Sequence, residues 1–237
     1  LHLSLRRQRQ MCIRDSLRTY REKQVSWNPV AFAQEGRSML GSEQYEWLLG
    51  KIETSQARWT VLGNSVMFAP LNLISLQENS MTAQVAAALT SNITSIPVNG
   101  DQWDGYSAER RALIDALPAH TLFLTGDIHT EWAHTITKGS DVVGAEMVCA
   151  SISAPNINEA LNMRPGNAVS RTAQQLLHAA NPHCHHVDLD SHGYSFVTIT
   201  REEARMHWLR VEDLLTPDSP VHEAVSMTFK PGVGFVT

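Results

Sequence analysis

Two hydrophobic spacings occur along this chain, one typical of buried strands and one typical of amphipathic helices. The run Thr121–Leu124 has the length and the β-branched and aromatic content of a buried strand. From Ser42, a candidate helix cap, apolar residues instead recur at intervals of three and four, at Tyr45, Leu48, Leu49 and Ile52. The pattern therefore predicts a fold that mixes α-helices with β-strands.

Further elements follow from the same spacings. Trp59–Ala69 is predicted to be a buried strand interrupted at Gly63-Asn64, where we favour a bulge over a ligand-facing asparagine. Residues 71–100 are predicted to form a long surface excursion with a short helix at Gln84–Leu89. The remaining predictions are a helix from Ser107 to Leu117, paired strands at Trp132–Thr137 and Asp141–Cys149, a helix with apolar residues Val169, Ala173, Leu176 and Leu177, a hairpin of Tyr194–Thr200 with Met206–Val211, and a loose tail at 216–237.

Composition fits one globular domain and excludes several classes of protein. The chain has 237 residues, 43% of them hydrophobic, and a net charge of −5, which opposes nucleic-acid binding. No apolar run is long enough to span a membrane. The three cysteines are scattered without the spacing of a thiolate zinc site, and the sequence leaves the oligomeric state open.

The first sixteen residues differ from the remainder because they are basic in an otherwise acidic chain. They lack the apolar core of a secretory signal, and we predict that residues 1–16 are a non-native segment outside the fold. The alternative is a basic interaction arm.

The strongest chemical signal follows the predicted strand at 121–124. The sequence Gly126-Asp127-Ile128-His129 places a carboxylate and an imidazole two residues apart, where an extended chain directs both toward one cation. Gly126 is expected to free the backbone to turn. A hard oxygen beside an imidazole nitrogen suits a transition metal or a binuclear pair. An ordinary loop after a strand is the alternative interpretation.

Two other clusters contain chemically capable residues. Trp103, Asp104 and Tyr106 lie at the entrance of the helix that starts at Ser107, where backbone N–H groups can meet an anion, although both aromatic rings can also simply bury themselves. The segment 183–192 contains four histidines and two aspartates, but strand alternation splits them between two faces. We therefore predict a solvated strand entry there, with at most one histidine lining a cleft, and no dedicated second metal site.

Several pieces in a fixed order resemble the PhoD-like alkaline phosphatase/phosphodiesterase family, over roughly residues 38 to 211. The resemblance rests on these stretches: Leu40-Gly41-Ser42-Glu43-Gln44 with Trp47-Leu48, Trp59–Asn64, Asp104-Gly105-Tyr106 with Glu109-Arg110, Thr125–His129, Ser151-Ile152-Ser153, Asn181-Pro182-His183 and Gly193-Tyr194.

The resemblance implies an α/β metallophosphoesterase-like β-sandwich flanked by helices. It also implies a binuclear metal site, commonly Fe³⁺ with Ca²⁺, that cleaves phosphoric mono- or diesters in an extracellular or periplasmic enzyme. Asp127 and His129 match the family's metal motif and are carried over as ligands with a catalytic role. Trp103, Asp104 and Tyr106 match a motif near that site and are expected to shape the substrate cleft.

The family's earlier motifs, which supply a Cys, an Asp, a Tyr and an Asn, have no counterpart in this chain. We therefore expect residues 17–215 to be the C-terminal portion of the phosphatase domain, incomplete at its N-terminal side and inactive in isolation. Two alternative functions stay open. One is a non-catalytic envelope ligand-binding module in which Gly126-Asp127 is only a turn, and the other is a different metallophosphoesterase such as a nucleotidase.

Overall fold

A computed structural model describes residues 20–25, 29–75, 95–97 and 99–236 of the protein. The basic segment 1–16 and the predicted helix at Gln84–Leu89 lie outside these described residues. The helices are α1 (Pro29–Phe32), α2 (Ser42–Thr54), a 3₁₀ turn (Trp103–Tyr106), α3 (Ser107–Ala116), α4 (Ile157–Ala160) and α5 (Ala168–Ala180).

The strands of the described residues form two larger sheets and one small one. Their bounds are β1 (Thr60–Asn64), β2 (Asn72–Ser75), β3 (Ser95–Pro97), β4 (Thr121–Thr125), β5 (Glu131–Lys138), β6 (Asp141–Val148), β7 (Cys184–Asp188), β8 (Gly193–Ile199), β9 (Ala204–Val211), β10 (Val221–Lys230) and β11 (Gly234–Val236).

The five-stranded sheet has the order β1-β4-β6-β5-β7. Strands β1, β4 and β6 are parallel, whereas β5 pairs antiparallel with both β6 and β7. Strand β4 lies between two parallel neighbours, and its Leu122 and Phe123 side chains are buried on opposite faces of the sheet. This explains why its sequence is an uninterrupted apolar run.

The second sheet is antiparallel with the order β11-β10-β9-β8 and packs face to face against the first. Trp208 of β9 is fully buried between the sheets and donates a hydrogen bond from Nε1 to the carbonyl oxygen of Val148, at 2.9 Å. The buried side chains that join the two sheets are Leu122, Ala133, Ala145, Met147, Ala204, Met206, Trp208 and Phe229.

Helices cover the other face of the five-stranded sheet. Helices α2 and α3 pack on a cluster that includes Phe68, Trp103 and Phe123, and α5 contributes Ala173 and Leu177 beside Trp132. Among the described helices, none combines the length and the apolar character that crossing a bilayer requires. The predicted mixed α/β sandwich flanked by helices is confirmed.

Several local predictions were wrong for identifiable reasons. Helix α2 is capped by Gly41, at φ 73°, rather than by Ser42. Strand β1 pairs with β4 in unbroken register as far as Asn64, so the predicted bulge at Gly63-Asn64 is absent from this described strand. In α5 Val169 and Leu176 are 59% and 64% exposed, so only half of the predicted apolar set packs inward.

The segment 216–237 is not a loose tail. Pro217, Ser219 and Pro220 lie in the connection before β10, and β10 then pairs along β9 from Val221 to Phe229. Phe229 is 0% exposed and belongs to the core between the sheets. The prediction failed because β10 has a mixed polar and apolar sequence whose burial depends on pairing with a distant strand.

Candidate metal centre

The candidate site lies at one edge of the five-stranded sheet. Because β1, β4 and β6 are parallel, their carboxyl ends meet there, with Asn64 beside Thr125 and Thr125 beside Val148. The loops 65–70, 126–130 and 149–156 leave the sheet at this edge. Ligand sites of parallel sheets form at this position, outside the carboxyl ends of the strands.

The loop after β4 contains two non-glycine residues in the left-handed region, Asp127 at φ 72° and His129 at φ 60°. Between them, Ile128 donates its N–H to the carbonyl oxygen of Gly126 at 2.9 Å. The chain is therefore not extended here, and Gly126 itself has no positive φ, so the predicted geometry of the motif was wrong on both points. Left-handed non-glycine residues are uncommon, and they cluster at functional sites.

The surroundings of His129 fix which ring nitrogen is available. Its Nδ1 atom lies 3.0 Å from the carbonyl oxygen of Pro155, and a carbonyl only accepts hydrogen bonds, so Nδ1 carries the proton. In the neutral ring Nε2 then keeps a lone pair, which is the arrangement found in metal-binding histidines. Asp127 is exposed to solvent in the same turn.

Asp127 and His129 have the donor chemistry of metal ligands, but they are fewer than a closed site requires. Within the described ranges, no group of three or more His, Cys, Asp or Glu side chains is placed to hold a metal ion. The two residues therefore fit part of a coordination sphere. Their assignment as ligands stays a prediction.

Trp103, Asp104 and Tyr106, expected to shape the substrate cleft, are all buried, with exposures of 1%, 4% and 0%. Trp103 donates from its backbone N–H to the carbonyl oxygen of Met67 and from Nε1 to Oδ1 of Asn64, both at 3.3 Å. Trp103 also lines a cavity of about 430 Å³ between α2 and β1. Both aromatic side chains are thus buried, and their predicted role in the cleft stays a prediction.

Asp104 connects α3 to the loop that follows β1. Its Oδ1 atom accepts a hydrogen bond from Arg110 at 2.6 Å, and its Oδ2 atom accepts one from the backbone N–H of Leu71 at 3.1 Å. Burial raises the pKa of Asp104, and the Arg110 guanidinium lowers it only in part. These contacts of Asp104 hold the loop, and its expected role in the substrate cleft stays a prediction.

Glu146 on β6 has a fully buried carboxylate that the sequence pattern did not reveal. It accepts hydrogen bonds from the backbone N–H groups of Phe68 at 2.7 Å and Ala69 at 2.8 Å. Its Oε1 atom also accepts from Thr125 Oγ1 at 2.7 Å and from Asn64 Nδ2 at 3.3 Å. The available signal was a glutamate within the otherwise apolar residues 142–148 of this strand.

His134 is the cross-strand partner of Glu146 and is also 0% exposed. Its Nδ1 atom lies 3.6 Å from Glu146 Oε2, which is an ion-pair distance too long for a hydrogen bond. Burial by itself raises the pKa of Glu146. Contact with His134 and hydrogen bonds from Phe68 and Thr125 outweigh burial and hold that pKa below its ordinary value.

The histidines of the segment 183–192 each have separate partners. His183 donates from Nε2 to the carbonyl oxygen of Pro70 at 2.8 Å, and burial lowers its pKa to about 4. Two of the others contact strand β5: His185 Nε2 lies 2.7 Å from Thr135 Oγ1 and His186 Nε2 lies 3.1 Å from Glu131 Oε2. His192 Nε2 lies 3.1 Å from Glu159 Oε2.

The stacked sheets, with Gly-Asp-Ile-His at the end of a central parallel strand, define a metallophosphoesterase-like fold. The solved structure of PhoD is similar in fold, with a TM-score of 0.72 over 93% of this chain and 40% of that one, at 23% identity. A sequence model described as PhoD-like phosphatase matches residues 9–208, and the chain therefore belongs to the PhoD-like phosphatase family.

Alkaline phosphatase D of Bacillus subtilis (strain 168) is one relative, 27% identical over 205 residues. That match covers 82% of this chain but only 30% of the relative. The chain thus spans less than a third of the length of this curated relative and two fifths of the solved PhoD chain.

Proposed function

We propose that this chain takes part in the metal-dependent hydrolysis of phosphoric mono- or diesters, in an enzyme outside the cytoplasm. The observation that carries the proposal is the left-handed turn at Asp127 and His129, which presents a carboxylate and the free Nε2 lone pair at the carboxyl ends of parallel strands. Membership of the PhoD-like phosphatase family supports the same chemistry.

Asp127 and His129 would hold the metal, and iron with calcium is the pair that we propose. Two cations supply, when bound, the charge that polarises phosphoryl oxygens and lowers the pKa of a water molecule. His129 is held by the carbonyl oxygen of Pro155, so its neutral Nε2 lone pair is already oriented. Asp127 contributes negative charge, and its exposed position leaves the carboxylate accessible.

Because no group of three or more such donors is placed to hold a metal ion among the described residues, we expect the isolated chain to bind metal weakly and to turn over little substrate. Activity should therefore be measured on the longest protein that the gene encodes. Titration of metal into purified residues 17–237 tests the weak binding directly, and tight binding of two ions would contradict it.

The deciding experiment is hydrolysis of a nitrophenyl phosphate ester by the parent, Asp127→Asn and His129→Ala. We expect each variant to lose at least about 100-fold in rate, because each removes a metal donor. Asp218→Asn is a matched control, since Asp218 is another exposed aspartate in the left-handed region, at φ 59°.

The control variant should keep the activity of the parent, and a chelator should abolish that activity. Full activity in both site variants would contradict the assignment of the ligands. A parent that binds a ligand, hydrolyses no ester and ignores chelator would support the non-catalytic binding module instead.

A further inference from the structure

We propose that Glu146 is a positioning residue of the candidate metal centre and fixes the strand end from which Asp127 and His129 emerge. The observation is its saturated carboxylate, 0% exposed, which accepts hydrogen bonds from two chain segments that border the site. This inference rests on the proposed function, because a positioning residue requires a site to position.

The first segment is the loop after β1. Glu146 accepts hydrogen bonds from the consecutive backbone N–H groups of Phe68 and Ala69, one on each carboxylate oxygen. Asn64 donates from Nδ2 both to Glu146 Oε1 and to the carbonyl oxygen of Val66, so the loop is also tied to the end of β1. One buried carboxylate therefore shapes the chain from residue 64 to residue 69.

The second segment is the end of β4. Thr125 donates from Oγ1 to Glu146 Oε1 at 2.7 Å and accepts from Asn64 Nδ2 at 3.0 Å. Its carbonyl oxygen accepts the N–H of Cys149 at 2.9 Å, so both its side chain and its backbone are fixed. Asp127 follows two residues later, and the orientation of Thr125 sets the direction in which the turn leaves the sheet.

The charge of Glu146 matters as well as its shape. The hydrogen bonds to its oxygens are all donated by N–H and O–H groups of the protein. An ionised carboxylate suits this arrangement because it only accepts hydrogen bonds. A glutamine side chain has one NH₂ group in place of an oxygen, and that group would face donors. The Glu146→Gln variant should therefore lose part of the arrangement while it keeps the volume.

Two variant pairs test the proposal. Thr125→Val removes the hydroxyl that donates to Glu146, whereas Thr125→Ser keeps it. The control pair is Ser170→Ala and Asp190→Asn, because Ser170 Oγ donates at 2.8 Å to Asp190 Oδ1 and both residues are buried. Ser170→Ala removes, and Asp190→Asn alters, a buried hydroxyl–carboxylate contact outside the hydrogen bonds around Glu146.

The first readout is backbone hydrogen exchange by mass spectrometry, which needs neither metal nor substrate. We expect Thr125→Val and Glu146→Gln to speed exchange at residues 66–69 and 126–130 by at least about tenfold, with β8 to β10 unchanged. Thr125→Ser and the control pair should leave both segments as in the parent. Unchanged exchange at 126–130, or an equal rise throughout the chain, would overturn the proposal.

The second readout is Zn²⁺ affinity by calorimetry on the longest protein that the gene encodes. We expect Thr125→Val and Glu146→Gln to weaken binding by about 10-fold or more, as residues that orient metal ligands do. The Zn²⁺ affinity of Thr125→Ser should stay within about threefold of that of the parent. A Thr125→Val variant that binds Zn²⁺ as tightly as the parent would overturn the proposal. If Glu146→Gln does not fold, the difference in Zn²⁺ affinity between Thr125→Val and Thr125→Ser alone tests the proposal.

The two readouts separate the positioning role from the proposed function. A parent that binds no Zn²⁺, combined with faster exchange at 66–69 and 126–130 in Thr125→Val, would support the hydrogen-bonded control of the turn and contradict the metal centre. Zn²⁺ binding that depends on Asp127 and His129 but not on Thr125 or Glu146 would keep the metal centre and overturn the positioning role.

Discussion

Two carboxylate–imidazole combinations among the described residues, Asp127 with His129 and Glu146 with His134, differ in their access to solvent. Asp127 and His129 lie in an exposed turn after β4, whereas Glu146 and His134 face each other in the interior between β6 and β5. Chemically the pairs are alike. Because Glu146 and His134 are buried, they contact only other protein groups, whereas the turn with Asp127 and His129 is accessible to a ligand.

Protein donors already occupy the carboxylate of the inner pair. Backbone and side-chain groups from two segments replace water around Glu146, which compensates for its burial. Asp127, in contrast, is exposed to solvent, so a cation can approach its carboxylate from the water. We therefore propose ligand chemistry for the turn and a structural role for the interior pair.

Of the variants considered, Glu146→Ala should cause the largest loss of stability. We expect this variant to lose about 3 to 5 kcal/mol of unfolding free energy, because it leaves the donors around it unpaired inside the protein. Asp127→Asn keeps the shape of an exposed side chain that tolerates the left-handed region, so it should change stability by less than about 0.5 kcal/mol. Urea denaturation at pH 7 measures the unfolding free energy of both variants. Similar losses of free energy in the two variants would contradict the contrast between the buried pair and the exposed turn.

Acid should destabilise the interior specifically, through His183. Its pKa falls from 6.5 to about 4 on folding, so between these values the unfolded chain binds a proton that the folded protein does not. Unfolding free energy should therefore decrease as the pH drops from 6.5 to 4, by about 2 kcal/mol after allowance for the partial exposure of the ring.

The His183→Asn variant should flatten that dependence on pH. Denaturant titrations at several pH values between 4 and 7 measure the slope. A parent slope that persists without His183 would show that another group is responsible.

Substitutions to glycine in the turn after β4 should cause the smallest change in stability. Asp127→Gly and His129→Gly relieve the left-handed strain but add freedom to the unfolded chain, so stability should stay within about 1 kcal/mol of the parent. Hydrolytic activity should nevertheless be lost in both. A large loss of stability in either variant would show that the turn supports the fold, and the contrast with the interior would weaken.

The sequence was informative where local pattern and packing agree. Strand β4 is an apolar run buried on both faces, and the helix at 42–54 has one apolar face, so both were predicted. The turn after β4 was identified from residue types, but its left-handed backbone was not, because nothing in Asp-Ile-His requires a positive φ.

The interior pair was missed because its meaning depends on contacts between distant residues. Glu146 is 78 residues from Phe68 and 21 from Thr125, and neither spacing is a sequence pattern. The burial of β10 likewise depends on β9 and on the core between the sheets. In each case the chemistry of a residue became clear only once the fold had placed its partners.

The most direct test of the central claim observes the two histidines at once. Nitrogen NMR of the imidazole rings, during titration of the full gene product with diamagnetic Zn²⁺, separates His129 from His134. We predict that the Nε2 signal of His129 shifts on binding and that both ring signals of His134 stay where they were. A shift at His134 with none at His129 would contradict the assignment of the exposed pair as the metal centre.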